Sequence, residues 1–182
     1  MTHWRAADPR SLEQLKRLPL LAAIERERWP SLEAHVAFLD LDAGELLFTA
    51  GRESERLFMV VEGELGLDMP APRGNGRPTD DPPRPAVRLQ VRGPGQTAGD
   101  FAVLNGGAHL VSAVATRRTL VAGFPRFAFD LLTELGPDLL AHVYDTAAAL
   151  SSRVTLARAF LELFDTLDDD TLGHLLEASS LH

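Results

Sequence analysis

From Leu12 onward the apolar residues fall on every third position: Leu12, Leu15, Leu18, Leu21 and Ile24, within the segment Ser11 to Val36. That spacing predicts helix over the N-terminal segment 1–36, with Pro19 marking a break or a helix start. At Ala37 the pattern changes to short apolar runs: Phe38-Leu39-Asp40-Leu41, Gly44-Glu45-Leu46-Leu47-Phe48, Leu57-Phe58-Met59-Val60-Val61 and Glu64-Leu65-Gly66-Leu67-Asp68. Turn residues at Ala43-Gly44, Ala50-Gly51 and Glu62-Gly63 separate them, so each run reads as a strand. So many short strands in close succession predict an antiparallel β-roll, a jelly-roll-like barrel.

The stretch 70–86 carries six of the chain's 12 prolines and no apolar periodicity, and is expected to be a disordered loop. Strand character resumes at Val87-Arg88-Leu89-Gln90-Val91, so this loop interrupts a hairpin within one roll spanning 37–124. Two further strands are expected at Ser112-Ala113-Val114-Ala115 and Thr119 to Phe124, and the region 125–182 reads as helix. There Leu140, Val143, Ala147, Leu150, Val154, Ala157, Leu161 and Phe164 alternate steps of three and four. Such a narrow seam predicts a long helix over 137–164 that joins two copies of the chain as a homodimer. The alternative is an amphipathic helix packed on its own barrel, with Leu139, Tyr144, Leu156 and Phe160 broadening the stripe. Asp168-Asp169-Asp170 then suits the start of a short helix through Leu172, Leu175 and Leu176.

Composition narrows the picture without changing it. A length of 182 residues with 45% hydrophobic positions fits one mainly β domain with flanking helices. Cysteine is absent, which excludes disulfides and thiolate metal sites and favours an intracellular, cytoplasmic setting. The first ten residues lack the apolar core of a signal peptide, and no apolar run reaches the roughly 20 residues of a membrane span. A net charge of -8, with arginines scattered along the chain, opposes nucleic-acid binding.

The richest chemistry lies in Gly93-Pro94-Gly95-Gln96-Thr97-Ala98-Gly99-Asp100-Phe101-Ala102-Val103-Leu104. Its glycines permit tight turning and close backbone approach, and the N–H groups of a helix start attract anions. Together with Ala43 to Phe48, and with Gly51 followed by Leu57 to Gly63, this stretch resembles the cyclic-nucleotide-binding domain family, over about Leu18 to Val154. Catabolite activator proteins and protein kinase A regulatory subunits share that fold. The resemblance implies a non-enzymatic regulatory or sensor module with cAMP or cGMP as its ligand. It also implies a cassette formed by Gly99, Asp100, Phe101, Ala102, His109 and Ser112.

In the family a glutamate holds the ribose 2′-hydroxyl and an arginine holds the cyclic phosphate. Here those positions are Asp100 and His109. Aspartate is one methylene shorter, and histidine lacks the bidentate, permanently charged fork of arginine. Leu110 and Val111 crowd the same arm, while Arg88, Arg92, Arg117 and Arg118 are candidate replacements for the missing cation. A ligand-free roll serving as an interaction or scaffold module for an unknown protein partner is the alternative reading.

Other chemistries fit less well. The six histidines form no His-x-His pair for a cupin-type metal site, and no Gly-x-Ser-x-Gly elbow occurs. About 18 residues follow Phe164, too few for a helix-turn-helix with its supporting structure, so direct DNA binding is not expected.

Overall fold

The computed structural model describes residues 4–70, 86–163, 171 and 174–175. In chain order it contains β1 (Arg5–Ala6), α1 (Pro9–Lys16), a 3-10 turn (Arg26–Arg28), α2 (Trp29–Glu33), β2 (Ala37–Leu41), β3 (Leu46–Phe48), β4 (Arg56–Glu62) and β5 (Leu65–Met69). Then follow β6 (Val87–Arg92), β7 (Thr97–Ala98), α3 (Asp100–Asn105), β8 (Ser112–Ala115), β9 (Thr119–Pro125), α4 (Arg126–Leu135) and α5 (Pro137–Leu163). The strands pair antiparallel in two sheets, ordered β1-β2-β9-β4-β7 and β3-β8-β5-β6. The protein is the mainly β roll with flanking helices that its sequence predicts.

The run Leu57 to Val61 is buried at every position, although strands at a solvated sheet alternate. The reason is that the first sheet has a core on each face. Leu57, Met59 and Val61 of β4, with Ala122 and Phe124 of β9, meet α1, α2 and α4. Phe58, Val60 and Val121 point the other way, into the roll, against Leu65, Leu67, Ala113 and Ala115 of the second sheet. Gly63 makes the tight turn out of β4 at φ +92, where a side chain would strike the backbone of Arg118 and Thr119.

The N-terminal segment departs from the expected helix. Arg5 and Ala6 form an edge strand opposite Phe38 and Ala37, and Arg5 pairs with Asp8 and with Asp40. Asp8 caps α1 by accepting from the amides of Arg10 and Ser11 at 3.0 and 3.1 Å, and Pro9 at the first helical position needs no partner. Helix stops at Lys16, and the chain continues in turns. Leu18, Leu21 and Ile24 each donate to the carbonyl three residues back, which is why their apolar spacing is three.

The seam along α5 is also reassigned. Leu139 and Val143 pack into the helical core, whereas Leu150, Val154, Ala157 and Leu161 pack into the roll. Of the residues that predicted a partner chain, Leu150, Val154, Ala157 and Leu161 are thus covered by the chain's own roll and Val143 by its helical core. The face left outside carries Ala141, Tyr144, Ala148 and Ser152. Residues 71–85 of the loop expected over 70–86 and the C-terminal features at Phe164, Asp168 to Asp170, Leu172 and Leu176 lie outside the described residues. Among the described residues no helix is long and apolar enough to cross a membrane.

Leu150→Ala is expected to cost about 2–5 kcal/mol in urea denaturation, with a midpoint that does not depend on protein concentration. A midpoint rising with concentration would place Leu150 in a contact between copies instead.

Candidate functional site

The cassette is built from β6 onward. After Arg92 the chain turns through Gly93 to Gln96: the Gln96 side-chain carbonyl accepts from the Gly93 amide at 2.7 Å, and the Gly95 amide donates to Val60 at 2.8 Å. The short strand β7 then pairs with β4, Ala98 opposite Phe58. Gly99 follows at φ +82, and a Cβ there would lie 2.9 Å from the Arg56 carbonyl and 3.1 Å from the Phe58 ring. Only glycine passes this point without strain, and it delivers the chain into α3. Gly106, also left-handed, ends that helix by donating to the Ala102 carbonyl at 2.9 Å. The return arm is stitched to the β3–β4 connection: the His109 amide donates to Arg52 at 3.0 Å, and the Gly51 amide to His109 at 2.9 Å.

This backbone brings together some of the expected residues and separates others. Asp100 is only 1% exposed, and neither carboxylate oxygen has a hydrogen-bond partner among the described residues. Burial pushes its pKa up; the Thr97 hydroxyl, Arg92 and His142 oppose that shift without overcoming it. The Thr97 Oγ1, Arg92 Nε and His142 Nε2 are themselves buried and unpartnered among the described residues. The Arg92 guanidinium also donates to Gln90 at 2.8 Å. Burial lowers the Arg92 pKa, Asp100 raises it, and Arg153 of α5 adds like-charge repulsion. Since α5 packs on α3, this polar cluster sits at the junction of β6, β7, the cassette helix and α5.

His109 belongs to a different environment. Its ring stacks on Phe48 with centroids 3.7 Å apart and planes 13° from parallel, and lies tilted 6.4 Å from Phe58. Phe58 stacks in turn on Phe48 and on Trp4, at 5.5 and 5.9 Å. The imidazole is 5% exposed, its Nε2 is unpartnered among the described residues, and burial pulls its pKa down to about 4. It is a neutral aromatic surface at pH 7.

The remaining expected residues have structural employment. Ser112 accepts from the Ala50 amide at 3.0 Å through its hydroxyl, the Phe101 carbonyl accepts from Asn105 at 2.9 Å, and Ala102 is fully buried. Of the four candidate arginines, Arg88 pairs with Asp68, Arg117 donates to Gly63 at 3.2 Å, and Arg118 lines a cleft of about 350 Å³ beside Arg5 and Asp8. Of the four, Arg92 stands at the cassette, beside Asp100. Thr97, His142, Phe48, Phe58 and Trp4 were missed by sequence reasoning. Thr97 lies within the glycine-rich stretch and was within reach of it; the others come from distant elements and left no local signal.

Residues 38–134 match the model of the cyclic nucleotide-binding domain. The chain belongs to the cyclic nucleotide-binding domain family. Among curated proteins it is 28% identical over 132 residues to Lysophospholipase NTE1 of Pyricularia oryzae, covering 69% of this chain but 8% of that protein. It therefore spans a small part of the curated relatives it matches. Among solved structures, the regulatory subunit of a cAMP-independent protein kinase A from Trypanosoma brucei superposes with a TM-score of 0.62 at 18% identity, covering 79% of this chain and 50% of that one. The corresponding subunit from Trypanosoma cruzi, bound to guanosine, gives 0.56 at 17% identity, covering 83% and 49%. At these identities the structural likeness establishes the shared fold.

Keeping His109 neutral stabilises the fold fully above its unfolded pKa of 6.5, and that contribution is lost as pH falls toward about 4. Asp100, whose pKa is raised, has the opposite sign: its contribution is present below the ordinary 3.8 and is lost as pH rises through its folded value. His109→Phe, which preserves the stack, is expected to lose less stability than the native chain between pH 7 and 4.5. Equal losses in parallel denaturation series would remove His109 as the source of acid sensitivity.

Proposed function

We propose that this chain is a non-enzymatic regulatory module in which a small ligand at the cassette and the position of α5 are linked. The carrying observation is the carboxylate of Asp100, buried with both oxygens unpartnered among the described residues, at the helix against which α5 packs. A buried carboxylate without hydrogen bonds is costly, and ligand hydroxyls at this point would relieve it. The cyclic nucleotides cAMP and cGMP are the family's ligands and the first to test. The guanosine complex of the Trypanosoma cruzi relative supports a wider range. Asp100 is the sugar partner in this reading, and Gly99, Phe101 and Ala102 give the backbone that frames it.

A second reading, a ligand-free roll acting as a scaffold or interaction module, is favoured by one specific feature. The Phe58, Phe48 and His109 rings stack on one another, and the apolar stripe of α5 packs against the same core of the roll. Self-association or partner binding through α5 would use its outward face around Tyr144, which is 58% exposed.

Under the first reading, calorimetry detects binding of a nucleoside or cyclic nucleotide, and Asp100→Ala weakens it roughly tenfold to a hundredfold, the effect of losing a bond to a charged group. Ligand also changes hydrogen-exchange protection along 143–157 of α5. No heat from any of these compounds at millimolar concentration would leave the scaffold reading in place.

A further inference from the structure

We infer that β1 is a releasable strap that sets the conformation of the cassette, with Trp4 acting on the start of α3 through the ring of Phe58. Release of the indole from its seat loosens the cassette helix, and with it the surface on which α5 packs. This coupling needs no ligand and stands apart from the ligand reading.

The indole has a seat made for it. Trp4 stacks on Phe58 with centroids 5.9 Å apart and planes 23° from parallel, and the Arg56 guanidinium lies 5.5 Å from the Trp4 ring centroid. Strand β9 has glycine where the ring rests: a methyl on Gly123 would come within 2.7 Å of the Trp4 Cη2 and Cζ3 atoms. Gly123 is not among the glycines of positive φ, so it is the indole, and not the backbone, that leaves no room for a side chain there. Besides the indole, the strap has few holds. β1 is two residues long and pairs through Arg5 with Phe38 and through Ala6 with Ala37, and the Arg5 guanidinium lies 5.5 Å from the Phe38 ring centroid. The Arg5 ion pairs with Asp8 and Asp40 join side chains that are 38–50% exposed, where such pairs contribute little. Trp4 itself is 38% exposed, so the strap belongs to the part of the molecule that opens most readily.

Phe58 carries the contact to the cassette. Its backbone pairs with Gly123 of β9 on one side and with Ala98 of β7 on the other. The Cδ1 edge of its ring faces Gly123, and the opposite edge faces Gly99, where a methyl would lie 3.1 Å from Cδ2 and 3.4 Å from Cε2. The ring is therefore wedged between the indole's seat and the residue that starts α3. The Gly99 carbonyl accepts from the Val103 amide at 3.0 Å, which closes the first turn of the helix that packs on α5. With Trp4 seated, Phe58 has one placement between the two glycines. With the indole gone, the space over Gly123 lets the ring move off Gly99 and frees the helix start.

Gly123→Ala evicts the indole without altering it, since the added methyl meets the Trp4 ring at 2.7 Å and Phe58 at an ordinary 3.7 Å. In the full chain labelled with fluorotryptophan, fluorine NMR gives one resonance for each of the two tryptophans, and Trp4→Phe assigns them by removing one. Gly123→Ala is expected to move the Trp4 resonance to a solvent-exposed position. Both Gly123→Ala and Trp4→Ala are expected to lower hydrogen-exchange protection at the Val103 and Gly106 amides of the cassette by roughly tenfold. The β5–β8 ladder keeps its protection, and Trp4→Phe stays close to native. The double variant loosens α3 no further than either single change, because both act on one contact. An unmoved resonance in Gly123→Ala overturns the seat. A released indole with native protection at Val103 and Gly106 overturns the coupling, and Trp4→Ala decides the same point alone if Gly123→Ala fails to fold. Equal loosening of the β5–β8 ladder, or a double variant whose effect is the product of the two single ones, overturns the route through Phe58.

Discussion

Helix α5 has to satisfy two hydrophobic cores with one stripe, and the rest of the molecule is arranged around that demand. Its first turns place Leu139 and Val143 among the helices behind the first sheet, and its later turns place Leu150, Val154, Ala157 and Leu161 inside the roll. A helix of 27 residues is about 40 Å long, enough to run from one core to the other. Each large side chain so buried contributes about 1.5–3 kcal/mol, so displacing the second half of α5 opposes several such terms at once. The same placement puts His142 and Arg153 beside the polar groups of the cassette. Docking of α5 and the state of the cassette are therefore parts of one packing problem.

Within the cassette, satisfied and unsatisfied chemistry lie side by side. The stack of His109 on Phe48 is complete as it stands, an aromatic contact worth about 0.5–1.5 kcal/mol beyond the area it buries. Asp100, Thr97 and Arg92 hold buried polar atoms without a hydrogen-bond partner among the described residues, each at a cost of about 1–3 kcal/mol. The larger unmet interaction is on the polar side, facing α5. A ligand that supplies hydroxyls there acts where the fold is least satisfied, whereas one that supplies a phosphate to the His109 arm displaces contacts already made.

The fold was largely legible because its signals are local. Gly44, Gly51, Gly63 and Gly99 all adopt positive φ, so turns foreseen from glycine are turns that need glycine. The apolar runs between them became strands of the two sheets. Misreadings arose where one pattern serves two geometries. The three-residue spacing from Leu12 to Ile24 reads as helix but is used by successive i to i+3 turns after Lys16. The alternation of three and four along α5 reads as a seam for a second chain, because a stripe facing a neighbouring roll and one facing a neighbouring helix share that period.

By itself, the sequence determined the roll, the family and the two atypical positions, because glycine conformation, strand periodicity and residue type are properties of short stretches. Only the tertiary structure decided what those positions became. Asp100 meets Arg92 and Thr97 beside α5, and His109 meets Phe48 and Phe58 inside the roll. The physical reason is that protonation, stacking and hydrogen-bond satisfaction depend on burial and on neighbours from distant strands. No spacing along the chain encodes those, and they settle whether a cassette residue is a charge, a ring or an open acceptor.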